Sequence, residues 1–176
     1  MKVLMYVVVS RDGYIAGKYD DTSRVSQHER KQFARTVDGI GNMIVGRRTY
    51  DIMKREHEFD HLQDPFVVVM SKRNHPSEPN RHITHAKPKN ILKFLDEKGR
   101  WSTVVAGGLQ INKLFLEQWL IDSVIVDEEP VEVGEWLKFD DMMPDGISLK
   151  LIKTYEYAPG HMQKIYTMVN KIIKGN

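Results

Sequence analysis

The sequence predicts a single α/β domain with a mostly parallel central sheet, helices on both faces and an antiparallel C-terminal hairpin. Three observations carry that expectation. Short β-branched runs without polar alternation recur along the chain, as buried parallel strands do. Several of them end in glycine and pass into stretches with helical spacing. The last strongly patterned stretch alternates apolar and polar residues on both sides of Pro159-Gly160, the mark of a hairpin. At 176 residues, 41% hydrophobic and 28% charged, the chain suits one core and excludes disordered and fibrous classes.

Residues 3–10 (VLMYVVVS) read as a central strand that stops at the turn signal Asp12-Gly13. A short apolar resumption at residues 14–17 leads into a polar loop at 18–25. Ser26 and Glu29 form the capping-box pair S-x-x-E, and Phe33 follows four residues on, which predicts a helix over about 27–37. Residues 42–46 (NMIVG) form a second strand, and a helix follows through about 55. Arg47 and Arg48 open that helix, where the macrodipole disfavours cations unless an anion is bound nearby. Residues 66–70 (FVVVM) make a third strand, followed by Ser71-Lys72-Arg73-Asn74. The segment 75–89 is Pro-rich and irregular, with a short strand at Ile83-Thr84. A helix over 90–98 stops at Gly99.

The organising stretch is 101–115, WSTVVAGGLQINKLF. Its strand empties into Gly107-Gly108, then into a helix whose apolar stripe runs through Ile111, Leu114, Phe115 and Trp119. Glycine lets the chain turn sharply there and lets a ligand reach the backbone. The unpaired amides of the first helical turn suit a pyrophosphate. A fourth strong strand spans 123–126, a short extended piece runs to Phe139, and Asp140-Asp141 mark an acidic loop. Residues 147–157 and 162–169 form the hairpin.

Ligands of such sheets gather at the strands' carboxyl ends. Those ends carry Asp12-Gly13, Gly46-Arg47-Arg48-Thr49, Ser71-Lys72-Arg73 and Gly107-Gly108: glycine amides for a pyrophosphate, and cations with a hydroxyl for a 2′-phosphate. The set favours NADPH over NADH. Neither G-x-G-x-x-G nor the P-loop pattern occurs, which excludes an ordinary Rossmann domain and P-loop hydrolases. Glu29, with Phe33 beside it, is the candidate acid, and Asp12 is its rival. His57-Glu58-Phe59-Asp60-His61 matches H-E-x-x-H, so a zinc hydrolase through His57 and His61 stands as a third, lesser reading. Asp127-Glu128-Glu129 reads as a solvated acidic rim. No cysteine is present, which excludes thiolate zinc and cysteine nucleophiles. A net charge of +2 argues against nucleic acid as a partner. The start, apolar for only about seven residues, is too short for a spanning helix and lacks a cleavage site, so a cytoplasmic protein without membrane partners is expected.

The runs 9–17, 45–50 (VGRRTY), 69–72 (VMSK), Ala106-Gly107-Gly108 and Leu120-Ile121-Asp122, followed by Pro130 and Gly134, resemble the dihydrofolate reductase superfamily. The branch they resemble is the C-terminal reductase domain of the riboflavin-biosynthesis deaminase-reductase. The resemblance implies a dihydrofolate-reductase-like fold, NADPH as hydride donor, a heterocyclic substrate (a pterin or an aminopyrimidine ribosyl phosphate) and, by family habit, a homodimer through residues 124–126 or the closing hairpin. Carried over by position, it implies that Gly46, Arg47, Arg48 and Thr49, with Gly107, Gly108, Leu109, Gln110 and Ile111, meet the cofactor's phosphates and nicotinamide side. Ser71, Lys72 and Arg73 would frame the 2′-phosphate, Glu29 would supply the acid and Phe33 would stack on substrate. The Leu-Pro-Trp segment of dihydrofolate reductases is absent between Gly17 and Glu29, which points away from folate. A catalytically inactive NADP-binding or regulatory protein of the same fold is the alternative.

Overall fold

The computed structural model describes residues 1–16, 25–73, 78–134 and 137–170. The polar loop expected from residue 18, together with Gly17, Asn74, residues 75–77 and part of the extended piece before Phe139, lies outside the described residues. The elements in chain order are β1 (Lys2–Ser10), β2 (Tyr14–Ala16), α1 (Gln27–Ile40), β3 (Asn42–Gly46), α2 (Arg47–Arg55), β4 (Phe66–Met70), β5 (Arg81–Thr84), α3 (Pro88–Glu97), β6 (Ser102–Val105), α4 (Leu109–Glu117), β7 (Ser123–Glu129), β8 (Leu137–Lys138), β9 (Ile147–Ala158) and β10 (His161–Asn170). Eight strands form one sheet in the order β5-β4-β3-β6-β1-β7-β10-β9, and β2 pairs with β8 apart from it. The six strands from β5 to β7 run parallel. The hairpin β9–β10 is antiparallel and joins through β10 to β7.

Two cores explain why the parallel strands lack polar alternation: each is covered on both faces. Val3, Met5, Val7 and Val9 of β1 pack with Ile91 and Leu95 of α3 and Phe115 and Leu116 of α4. Tyr6, Met43, Val45, Val67 and Val69 point the other way, against Val37 of α1 and Tyr50 and Met53 of α2. Each fully buried aliphatic or aromatic side chain contributes roughly 1.5–3 kcal/mol against the entropy of ordering the chain.

Local chemistry fixes the boundaries. Helix α1 starts at Ser26, whose Oγ accepts the Glu29 N–H at 3.1 Å, and runs three residues beyond its expected end to Gly41, which caps it in the left-handed region at φ 77°. Helix α4 ends at Glu117, so Trp119, expected on its apolar stripe, instead turns out at φ 54° and is 48% exposed. Asn112 is buried in that helix. Of the two surfaces suggested for a homodimer, residues 124–126 are buried between β1 and β10. The hairpin's outer strand β9 does form the sheet's edge and exposes Leu151 and Ile152. Among the described residues no helix is long and apolar enough to cross a membrane.

Candidate active site

Parallel registry brings the four glycine- and cation-bearing strand ends to one edge. Gly46 pairs with Met70 of β4, whose strand continues into Ser71, and the Gly46 N–H donates to the Gly107 carbonyl at 2.7 Å. Gly46 and Gly108 are the N-caps of α2 and α4, and neither helix start has a side-chain cap. Two sets of first-turn amides, each with the positive end of its helix dipole, therefore open side by side. Space requires glycine at 46 and 108, and conformation requires it at 107. A Cβ on Gly46 would stand 2.9 Å from Ile111 Cγ1, and one on Gly108 would stand 2.8 Å from Thr49 Oγ1. Gly107, joined to Gly108 by a cis peptide, lies at φ +100°.

Below this edge a cleft of about 280 Å³ opens between α1, α2 and the ends of β1 and β6. Glu29, Phe33, Thr49, Gly107, Gly108 and Leu109 line it together with Tyr6. Gly46, Arg47, Arg48, Gln110 and Ile111 stand at the same edge without lining the cleft. So do Ser71, Lys72 and Arg73, where the Arg73 N–H donates to Ser71 Oγ at 3.1 Å. Arg47 pairs with Asp51 at 2.9 Å.

Glu29 is the cleft's outstanding group. It is 3% exposed, its Oε1 has no hydrogen-bond partner among the described residues, and Phe33 lies one turn away with its ring edge-on to Tyr6 at 5.1 Å. Burial, reinforced by the negative charges of Asp127 and Glu129, pushes its carboxyl up to about 8. The expected capping box is thus half made: Ser26 caps the helix, while the Glu29 side chain turns into the cleft instead of back to the helix start.

Asp12 has other work. Its carboxylate accepts from Ser10 Oγ at 2.5 Å, from the Val133 N–H and from the Gly134 N–H at 2.7 Å. The Ser10 hydroxyl and these amides hold it down at about 2, so it ties the 131–134 loop to the end of β1 and does not line the cleft. Asp12→Ala is expected to speed hydrogen exchange at Val133 and Gly134. Because the folded carboxyl is depressed, the same loosening appears in the native protein as pH falls from about 3.8 through about 2.

Behind Glu29 lies a polar network that the reading of residues 127–129 as a solvated rim missed. Asp127 and Glu129 are 0% and 3% exposed, because β7 runs on to residue 129 and its alternation turns both inward with Ile125. Glu128 faces the other way and pairs with Lys164 at 2.5 Å. Asp127 accepts from the Tyr6 hydroxyl and from Gln163 Nε2 at 2.7 Å. Burial still raises its carboxyl to about 6 against those bonds. Glu129 meets Ser26 Oγ at 3.0 Å and His161 Nε2 at 3.4 Å.

The zinc reading does not survive. Residues Glu58–His61 form a 3₁₀ turn, and His57 precedes it at φ 57°, so the two histidines lack the i, i+4 face of an α-helix that the motif requires. His57 instead lies 3.3 Å from Asp60, with its side chain 80% exposed. Among the described residues no three His, Asp or Glu side chains are grouped to hold a metal.

The model of the family described as "RibD C-terminal domain" matches residues 1–162. Bacillus subtilis (strain 168) YwjB is 25% identical over 165 residues, covering 89% of this chain and 92% of that protein. A protein named for riboflavin biosynthesis from Shewanella sp. PV-4 superposes with a TM-score of 0.77 at 22% identity, covering 97% of this chain and 100% of that one. The Thermotoga maritima diaminohydroxyphosphoribosylaminopyrimidine deaminase/5-amino-6-(5-phosphoribosylamino)uracil reductase superposes with a TM-score of 0.69 at 16% identity; the match covers 94% of this chain and 56% of that longer one.

Proposed function

This chain belongs to the RibD C-terminal domain family, and from that premise we propose that it is an NADPH-dependent reductase whose substrate is a pterin or an aminopyrimidine ribosyl phosphate. One observation carries the reading beyond family membership. A buried acid with an unpartnered oxygen faces a mostly apolar cleft, and the same cleft is bounded by the Gly107-Gly108 edge. A flat nitrogen heterocycle satisfies that oxygen and fills the space against Phe33.

The residues at the edge fit a dinucleotide. The amides of α2 and α4 can receive a pyrophosphate, Gly46 and Gly108 keep the approach free of side chains, and Ser71, Lys72 and Arg73 supply a hydroxyl and two cations for a 2′-phosphate. NADPH, when bound, supplies the hydride. The chain's own contribution is positional and acidic. Phe33 and Tyr6 hold the ring, and the apolar wall excludes water. As hydride reaches carbon of a C=N or C=O bond, Glu29 gives its proton to the nitrogen or oxygen that takes up the electron pair, leaving a carboxylate that solvent reprotonates.

Quenching or enhancement of NADPH fluorescence on titration with protein, followed by loss of 340 nm absorbance with one member of a pterin and aminopyrimidine panel, is the expected result. Binding without oxidation across the panel would favour the inactive NADP-binding alternative. Unchanged NADPH emission at high protein concentration would overturn both.

A further inference from the structure

The first turn of α1, which carries Glu29, is fastened to the sheet by a polar staple that hydride transfer itself does not use. Ser26 Oγ meets three groups at once: the Glu29 N–H at 3.1 Å, Glu129 Oε1 at 3.0 Å and His161 Nε2 at 3.1 Å. Both ring nitrogens of His161 face acceptors. Nδ1 lies 2.9 Å from the Pro159 carbonyl, and Nε2 lies 3.4 Å from Glu129 Oε2. With the Ser26 hydroxyl donating to Glu129, the ring of His161 ties the start of α1 to both Glu129 and the turn at Pro159. A second brace holds α1 on the other side of Glu29: Gln32 Nε2 donates to the Tyr155 hydroxyl at 3.4 Å, Tyr155 donates to Gln163, and Gln163 donates to Asp127.

Three of the donors behind Glu29 are thereby committed to other acceptors. The Tyr6 hydroxyl donates to Asp127, and Ser26 and His161 serve Glu129. The Tyr157 hydroxyl, which faces Glu29, is also buried without a partner among the described residues, and Glu29 Oε1 stays buried, unpartnered there and available to a ligand.

We propose that Ser26, Glu129 and His161 are positioning residues for Glu29, holding the start of α1 against β7 and β10 so that the carboxyl stays dry and turned into the cleft. The proposal rests on Glu29 being the site's acid, but its test does not need turnover. The charges that set the Glu29 titration are Asp127 and Glu129 from β7, Glu58 from the 3₁₀ turn and Arg30 beside it on α1. Tyr6 on β1 and Tyr157 on β9 face the same group, and His161 on β10 reaches it through Ser26.

Ser26→Ala removes the staple without changing any charge. With ¹³C-carboxyl glutamate, the Glu29 resonance, identified by its absence in Glu29→Gln, should titrate near about 8 in the native chain. In Ser26→Ala it should fall by about one pH unit or more as water reaches it. Ser26→Thr, which keeps the hydroxyl, should restore the native midpoint. His161→Gln should lower the midpoint as Ser26→Ala does, and it serves if that variant folds poorly. Where turnover is measurable, kcat falls about tenfold at unchanged KM for NADPH. A lower melting temperature with an unmoved Glu29 titration would overturn the proposal, leaving the staple a helix cap alone. A moved titration in a protein that leaves NADPH unoxidised with every member of the substrate panel would sustain the positioning role while the reductase reading fails.

Discussion

Glu29→Gln is expected to lower kcat for hydride transfer by about 10²–10⁴-fold, the usual yield of a positioned general acid, and at the same time to stabilise the fold. Both effects come from one fact: a carboxyl is held 3% exposed with negative neighbours and an unfilled oxygen. With Glu29 as the acid, the protonated form is the active one, so the rate is expected to stay level at lower pH and to fall as pH rises through about 8. The Gln variant loses that limb of the profile. Stability carries the same sign. The folded carboxyl titrates near about 8 against 4.5 for the free group, so the folded state binds more protons across that window and stability declines as pH climbs through it. The accumulated cost by pH 8 is about 4 kcal/mol. An amide cannot ionise and escapes it, but it leaves its own buried polar atoms unpaired, so the net gain at pH 8–9 is about 1–3 kcal/mol by denaturant titration. A variant that loses activity without gaining stability would mean that Glu29 is better solvated than its burial implies. Activity traded against stability in this way is what a site built for chemistry, not for packing, should show.

The parts of the fold legible in the sequence are those decided locally. The strand at Asn42–Gly46 and the helix at Arg47–Arg55 were readable to the residue because glycine ends one and caps the other. The hairpin was readable because alternation of period two is a local signal. Trp119 was misplaced because helical spacing continues through it, while the backbone has already left the helix at Gln118. The two-stranded sheet of β2 and β8 was out of reach, since two- and three-residue strands pair across more than a hundred residues. The site divides along the same line. Glu29 and Phe33 could be singled out from a capping box with an aromatic one turn on, yet the reason Glu29 stays protonated at neutral pH lies first in its burial by the folded chain and then in Asp127 and Glu129, about a hundred residues away in the chain. One signal for them was present. Ile125, Asp127 and Glu129 alternate in phase, so continuing the strand past Val126 turns two acids inward. Reading three acids in a row as a solvated rim overrode it. His161 carried no comparable mark, because its role exists only where β10 closes beside β7.

Gly46→Ala should weaken NADPH binding by about 10–100-fold and destabilise the chain by about 1–3 kcal/mol, the range for overfilling a packed site. Conformation is not the obstacle, since Gly46 sits at φ −75°, where alanine is at ease. Space is. The new methyl would stand 2.9 Å from Ile111 Cγ1 and 3.6 Å from the Gly108 amide nitrogen, so α2 and α4 must separate at the point where their first-turn amides converge. If that convergence holds the cofactor's phosphates, pushing the helices apart dilutes both dipoles at once. Ile111→Ala in the same chain removes the atom in the way. The double variant should therefore recover part of the affinity, with a favourable coupling of about 1 kcal/mol or more in the double-mutant cycle. Gly39→Ala is the control. That glycine lies in the last turn of α1 with no atom within 4 Å of the added carbon, and alanine there should stabilise the helix by about 0.5–1 kcal/mol and leave NADPH affinity alone. Undiminished affinity in Gly46→Ala, measured by fluorescence titration beside that control, would remove the paired helix starts from the cofactor site, because a dinucleotide lying on those amides cannot be indifferent to a methyl group set between them.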